Sequence, residues 1–142
     1  MKKHTKVVVS AVVWHKGKIL LLKRAQNFKE LNIGKELWDL PGGKLEFGLS
    51  TLEALQNELT EETRYVKINR TLKLIDAISY LIKDEKMITN RINIIYDLKI
   101  DGEIQIELSN EHSEFIFTDD RHLIQSLDMM SPIQNLLLTL LE

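Results

Sequence analysis

Glu58, Glu61 and Glu62 stand at i, i+3 and i+4 in a segment whose leucines repeat at helical spacing. At about 100° per residue their carboxylates share one helix face. Like charges so placed oppose helix formation by roughly 0.2–0.5 kcal/mol per pair. Glu61 and Glu62 also fall in the last turn, where the macrodipole disfavours an anion by roughly 0.3–1 kcal/mol. Two readings answer that cost: a solvated acidic face, or a divalent cation that turns repelling carboxylates into ligands. Hard oxygen donors with neither His nor Cys beside them suit Mg²⁺ or Mn²⁺ rather than zinc.

Three of the six glycines lie within Gly42 to Gly48, just ahead of this helix. Gly42 fits either a tight turn or a backbone carbonyl brought close to a cation, and both can hold. Arg24 and Lys44 are candidate phosphate contacts, against the default of solvated surface cations for either taken alone. His112 sits in a polar stretch and needs no role.

The elements that would position these groups alternate between helical and strand periodicity, the mark of a mixed α/β chain. Val7 to Trp14 and Ile19 to Lys23 are apolar runs joined by His15-Lys16-Gly17-Lys18, a hairpin. Ala25 to Glu36 reads as a surface loop, and Leu37 to Leu40 as a short strand stopped by Pro41. A glycine loop follows. Ser50-Thr51-Leu52-Glu53 has the form of a capping box. Leu52, Leu55 and Leu59 carry the helix that begins there to about Thr63. Leu72 to Ile82, Ile88 to Ile100 and Ile104 to Leu108 read as strands. Asp119 to Leu127 reads as a short helix, and Ser131-Pro132 as the N-cap and first position of a closing helix reaching Leu141.

Composition narrows the classes. The chain has 142 residues, 44% hydrophobic and 28% charged, with no cysteine and a formal net charge of −2. One domain over residues 1–142 is the expectation, burying about 68% of the surface its unfolded chain exposes. Without cysteine, disulfides and thiolate metal sites are excluded. No apolar run approaches the roughly 20 residues of a membrane span, and the amino end lacks a cleavable signal pattern, so the chain reads as cytoplasmic with no membrane partner. No basic run favours a nucleic-acid polymer.

Pro41-Gly42-Gly43-Lys44-Leu45-Glu46-Phe47-Gly48 followed by the capped acidic helix resembles the Nudix hydrolase box, G-x5-E-x7-R-E-U-x-E-E-x-G-U with U aliphatic. Counted from Gly43, Glu58, Leu59, Glu61 and Glu62 fall on its E-U-x-E-E. The flanks Leu20-Leu21-Leu22-Lys23-Arg24 and Trp38-Asp39-Leu40 are similar to the family's too, and the resemblance runs from Val7 to about Leu127. Three positions depart: Leu49 stands for Glu, Asn57 for Arg and Arg64 for Gly. The family's Arg helps hold the acidic cluster, support whose loss typically costs about 10 to 100-fold in metal affinity or activity. Arg64 would need a left-handed conformation at roughly 1–2 kcal/mol if the helix ended as the family's does.

The resemblance implies an α/β/α sandwich with a mixed central sheet, and Mg²⁺-dependent (or Mn²⁺-dependent) hydrolysis of a phosphoanhydride in a nucleoside diphosphate linked to another group. Glu58, Glu61, Glu62 and Gly42 would hold the cation. Glu111, six residues before Phe117, is similar to a family loop glutamate, and either it or Glu58 would deprotonate the attacking water; its bland reading is a solvated loop acid. Tyr80 lies where relatives acting on ADP-ribose tend to carry Pro. Trp14, Phe28, Trp38 and Tyr80 are core aromatics or stacking platforms. The implied partner is a small nucleotide, and a homodimer stays open. The departures motivate the alternative of a Nudix-fold module that binds a nucleotide without cleaving it.

Overall fold

The computed structural model describes residues 1–25, 36–63, 72–83 and 85–142. Along the chain it forms β1 (Lys2–His15), β2 (Lys18–Arg24), β3 (Trp38–Asp39), β4 (Gly42–Lys44), α1 (Thr51–Thr63), β5 (Lys73–Lys83), β6 (Met87–Ile100), β7 (His112–Thr118), α2 (Arg121–Ser126) and α3 (Ser131–Leu140). The strands line up as β3-β2-β1-β6-β5, with β4 on β1 and β7 on β2. β1 and β6 run parallel from Lys2↔Met87 to His15↔Ile100, and the other pairings are antiparallel. The sheet is mixed, as expected.

Both sheet faces are covered, which is why β1 and β2 read as unbroken apolar runs rather than alternating ones. Val9, Ala11, Val13, Leu20 and Leu22 meet Ala54, Leu55 and Leu59 of α1 on one face. Val12, Ile19, Leu21 and Ile95 meet Ile124 of α2 and Ile133 and Leu137 of α3 on the other. This is the α/β/α arrangement. A fully buried leucine at such a position contributes roughly 1.5–3 kcal/mol.

Several local expectations are corrected. Gly42–Lys44 is a strand on Val8–Ser10, not loop, because β2 leaves β1 after two pairs and frees that edge. Residues 104–108 form no strand, although Ile106 and Leu108 still pack against the α1 core. Leu52 is 39% exposed, so the buried stripe of α1 runs instead through Ala54, Leu55, Leu59 and Glu62. Met130, not Ser131, caps α3, and its side chain makes no capping bond; Pro132 lies inside the first turn. Arg64 and Phe28 lie outside the described residues. Trp14, Trp38 and Tyr80 pack against the α2/α3 core. Among the described residues no helix is long and apolar enough to cross a membrane.

Candidate active site

The capping box forms as its spacing requires. The Ser50 amide donates to Glu53 Oε1 and the Glu53 amide to Ser50 Oγ, both at 3.1 Å; the Ser50 amide, then the Ser50 side chain, holds the Glu53 carboxyl below its ordinary range. Thr51 Oγ1 lies 2.7 Å from the Tyr96 hydroxyl, tying the helix start to β6. α1 is thereby fixed along one sheet face, with its last turn directed at β4. That turn carries no basic residue to offset its glutamates.

The three helix carboxylates do not share one environment. Glu62 is 1% exposed, Glu58 is half-buried and Glu61 is exposed. The Gly42 amide donates to Glu62 Oε1 at 3.1 Å, while Glu62 Oε2 is buried and accepts no hydrogen bond. Its neighbour is His112 Nδ1 at 3.8 Å. Burial, then the charge of Glu58, drives the Glu62 carboxyl well above the ordinary carboxylate range; the Gly42 amide and Arg24 pull it back, and Glu111 pushes it up.

Both glycines ahead of the helix are there for close approach. A Cβ on Gly42 would strike the Val9 carbonyl and Ser10, and a Cβ on Gly43 would overlap the Glu58 carboxyl group. Ala11 N–H to Pro41 O and Leu45 N–H to Val7 O, each 3.0 Å, mark hydrogen-bonded positions of the β1/β4 ladder. By the alternation of an antiparallel ladder, Gly42 then turns its own N–H and C=O away from β1. The N–H reaches Glu62; the carbonyl points to the same side.

A cavity of about 320 Å³ is lined by Arg24, Gly42, Gly43, Lys44, Glu46, Leu49, Ala54, Asn57, Glu58, Glu61 and Glu111. Every site residue expected from sequence lies on this wall except Glu62, which sits beneath it on Gly42. Arg24 is buried at 9% exposure rather than solvated, whereas Lys44 is exposed at the rim. Glu111 is delivered by the end of β2: its carbonyl accepts the Ala25 amide at 2.8 Å, and a register shift at Lys23/Arg24 sets Arg24 against His112. Leu49 packs its side chain on the α1 core instead of presenting a carboxylate, and Asn57 is an exposed neutral residue on the cavity wall.

In sequence His112 has no assigned role and Gly43 serves only to set the register of the glycine loop. His112 is buried beside Glu62, a relation set by the β2/β7 register that no local pattern reveals. For Gly43 the signal was present in the consecutive glycines, but the group it accommodates, Glu58, is distant in sequence. A divalent cation fits this chemistry. The donors are oxygens, and Glu62 offers a buried acceptor with no hydrogen bond. Among the described residues no three His, Asp or Glu side chains are drawn together as a closed ion site.

A family model described as NUDIX domain matches residues 4–135. The chain is 29% identical over 131 residues to a Bacillus subtilis (strain 168) protein named "Putative ADP-ribose pyrophosphatase YjhB", the match covering 92% of this chain and 56% of that one. The chain thus spans little more than half the length of that relative. Among solved structures it resembles the MutT protein from Methanosarcina mazei Go1, with TM-score 0.71 and 24% identity over 99% of this chain and 95% of that one. It also resembles the NUDIX domain of Shewanella oneidensis NrtR complexed with ADP ribose, with TM-score 0.68 and 18% identity over 94% and 84%. At these identities the structural likenesses establish the fold.

Proposed function

From the premise that this chain belongs to the NUDIX domain family, we propose that it is a pyrophosphohydrolase cleaving a phosphoanhydride in a nucleoside diphosphate linked to another group. The observation that carries this is Glu62: one oxygen is held by the Gly42 amide, and the other is buried without a hydrogen bond beneath a cavity walled by Glu58, Glu61 and Glu111. A carboxylate buried beside other carboxylates is costly in the free protein, and an ion repays that cost.

Glu58, Glu61, Glu62 and the Gly42 carbonyl would hold Mg²⁺ or Mn²⁺, which supplies charge neutralisation at the pyrophosphate and acidification of water. Arg24, fixed at the end of β2, and Lys44 at the rim bind the phosphate oxygens. Glu111, brought to the same cavity beside the end of β2, takes the proton of the attacking water. Glu58, pressed against Gly43 beside Glu62, serves the cation. His112, whose Nδ1 lies 3.8 Å from Glu62 Oε2, adjoins this carboxylate away from the cavity.

Asn57 and Leu49 favour a second reading, a module that binds a nucleotide without turning it over. Titrating Mg²⁺ and then screening nucleoside triphosphates, dinucleoside polyphosphates, nucleotide sugars and ADP-ribose for phosphate or pyrophosphate release decides between them. Turnover supports the hydrolase; saturable binding without product supports the module. Repair sharpens the test. Asn57 is exposed, so Asn57→Arg costs no packing and sets a cation one turn from Glu61. We expect Mg²⁺-dependent kcat/KM to rise about tenfold. An unchanged kcat/KM with appreciable wild-type turnover would show that the missing arginine is compensated. Leu49→Glu is a poorer repair, because it removes apolar packing from the α1 core.

A further inference from the structure

On the sheet face opposite α1, a second polar group spans four strands. Ser10, Arg91 and Asn93 are 4%, 4% and 0% exposed, Asp39 is 9% exposed, and Tyr80 is half-buried directly across from Arg91. Some of their hydrogen-bonding capacity is used. Ser10 Oγ donates to Asn93 Oδ1 at 2.8 Å, Asp39 Oδ1 accepts the Leu40 amide at 2.8 Å, and Arg91 Nη2 lies 3.8 Å from Asp39 Oδ2. What is left over has one character. Arg91 Nε, Asn93 Nδ2 and the Tyr80 hydroxyl are all buried and make no hydrogen bond of ordinary geometry within the protein, although Asn93 neighbours Tyr80. A buried donor without an acceptor forfeits its hydration with no return, and three in one patch call for a use.

This patch adjoins the acidic cavity. Ser10 is the β1 partner of Gly42, the residue that holds Glu62, and a Cβ on Gly42 would collide with it. Asp39 pairs with Leu22, two residues before Arg24. The charge of Arg24 reaches both Glu62 on one side and Tyr80 on the other. Ser10 beside Gly42, and Arg24 acting on both groups, set the patch next to the cavity edge where the phosphates would lie.

We propose that Tyr80, Arg91 and Asn93 form the subsite that reads the nucleoside end of the substrate, and that it selects bases of the keto type (guanine, hypoxanthine, uracil) over the amino type (adenine, cytosine). The inference rests on the hydrolase reading of the acidic cavity. Arg91 Nε and Asn93 Nδ2 can only donate, and the tyrosine hydroxyl can donate as well. A keto base offers acceptors on the edge where an amino base offers a donor. Asp39 balances the charge of Arg91, so the patch suits a neutral acceptor edge and not a further phosphate.

Inosine and adenosine 5′-triphosphates are a matched pair, differing in the keto or amino group at one ring carbon and in the proton on the ring nitrogen beside it. With Mg²⁺ present we expect kcat/KM to favour the inosine nucleotide by about tenfold or more, mainly through KM. Tyr80→Phe and Asn93→Leu should each shrink that ratio severalfold. Tyr80→Phe should leave the melting temperature of the free protein unchanged or higher, since the hydroxyl it removes makes no hydrogen bond of ordinary geometry. Equal use of the two nucleotides, preference for adenosine, or a ratio that survives both variants overturns the proposal. Calorimetry with the α,β-imido analogues of the two nucleotides, whose bridge the proposed reaction cannot cleave, separates this from the hydrolase reading. Selective inosine binding without turnover of either triphosphate keeps the subsite and defeats the hydrolase. Turnover without base selectivity does the reverse.

Discussion

Glu111→Gln lowers kcat about 100-fold or more while moving nucleotide affinity little. General-base catalysis by a positioned side chain is worth about 10² to 10⁴-fold, and Gln keeps the shape and one acceptor of Glu while losing its basicity. The carbonyl of Glu111 is fixed by the Ala25 amide and the residue lines the cavity, so the substitution leaves the backbone anchor intact. Glu58→Gln is the control that assigns the roles. Glu58 lies against Gly43 and its charge acts on Glu62, so its loss should raise the Mg²⁺ concentration needed for half-maximal activity. In the Glu111 variant that concentration should stay near the wild-type value. Measuring kcat against Mg²⁺ for both variants checks this. Unchanged turnover in Glu111→Gln returns that residue to a loop acid, and an exchange of the two phenotypes makes Glu58 the base.

Much of this site was legible in the sequence because its parts are local. The capping box, the E-x-x-E-E spacing and the paired glycines each lie within one short segment, and each forms what its spacing requires. The unequal burial of the three glutamates was not legible. By spacing Glu62, three residues after Leu59 and seven after Leu55, continues the leucine stripe, but its charge argues for solvent, and what decides its burial is the Gly42 amide on β4, a partner distant in sequence. Burial of Arg24 and His112 depends on the β2/β7 register, a pairing of residues far apart in sequence. Conversion of the glycine loop into β4 depends on β2 parting from β1. The core was easier: runs with both faces apolar, as in β1 and β2, announce a sheet covered on both sides. The segment 104–108 has the same character but finds no strand edge, and it contributes Ile106 and Leu108 to the core without pairing.

Glu62→Gln should raise the melting temperature of the metal-free protein at neutral pH and abolish its stabilisation by Mg²⁺. In the wild type a cation at about 100 times its Kd adds about 2.7 kcal/mol, on the order of 8 °C for a chain of this size. The variant removes a ligand, so most of that shift disappears. The metal-free gain has a different origin. The folded Glu62 carboxyl is held well above its ordinary value by burial and by Glu58, with Glu111 adding to the push and Arg24 and the Gly42 amide opposing it. Between the ordinary value and the raised one, the native state binds more protons than the unfolded state, so stability falls as pH rises through that window. Below the ordinary value both states are protonated and the penalty vanishes. The wild-type protein should therefore match Glu62→Gln near pH 4 and fall progressively below it as pH rises, by on the order of 3 °C for each kcal/mol of penalty. Glutamine can keep the bond from the Gly42 amide, since its Oε1 accepts as the carboxylate does. Taking the difference between the two melting curves at each pH removes contributions from groups that titrate alike in both proteins. His112 Nδ1 lies 3.8 Å from Glu62 Oε2, so the scan is repeated in Glu62→Gln carrying His112→Asn. A metal-free variant clearly less stable than wild type at pH 7 would make Glu62 a structural anchor of β4 and remove the main support for a cation at this site.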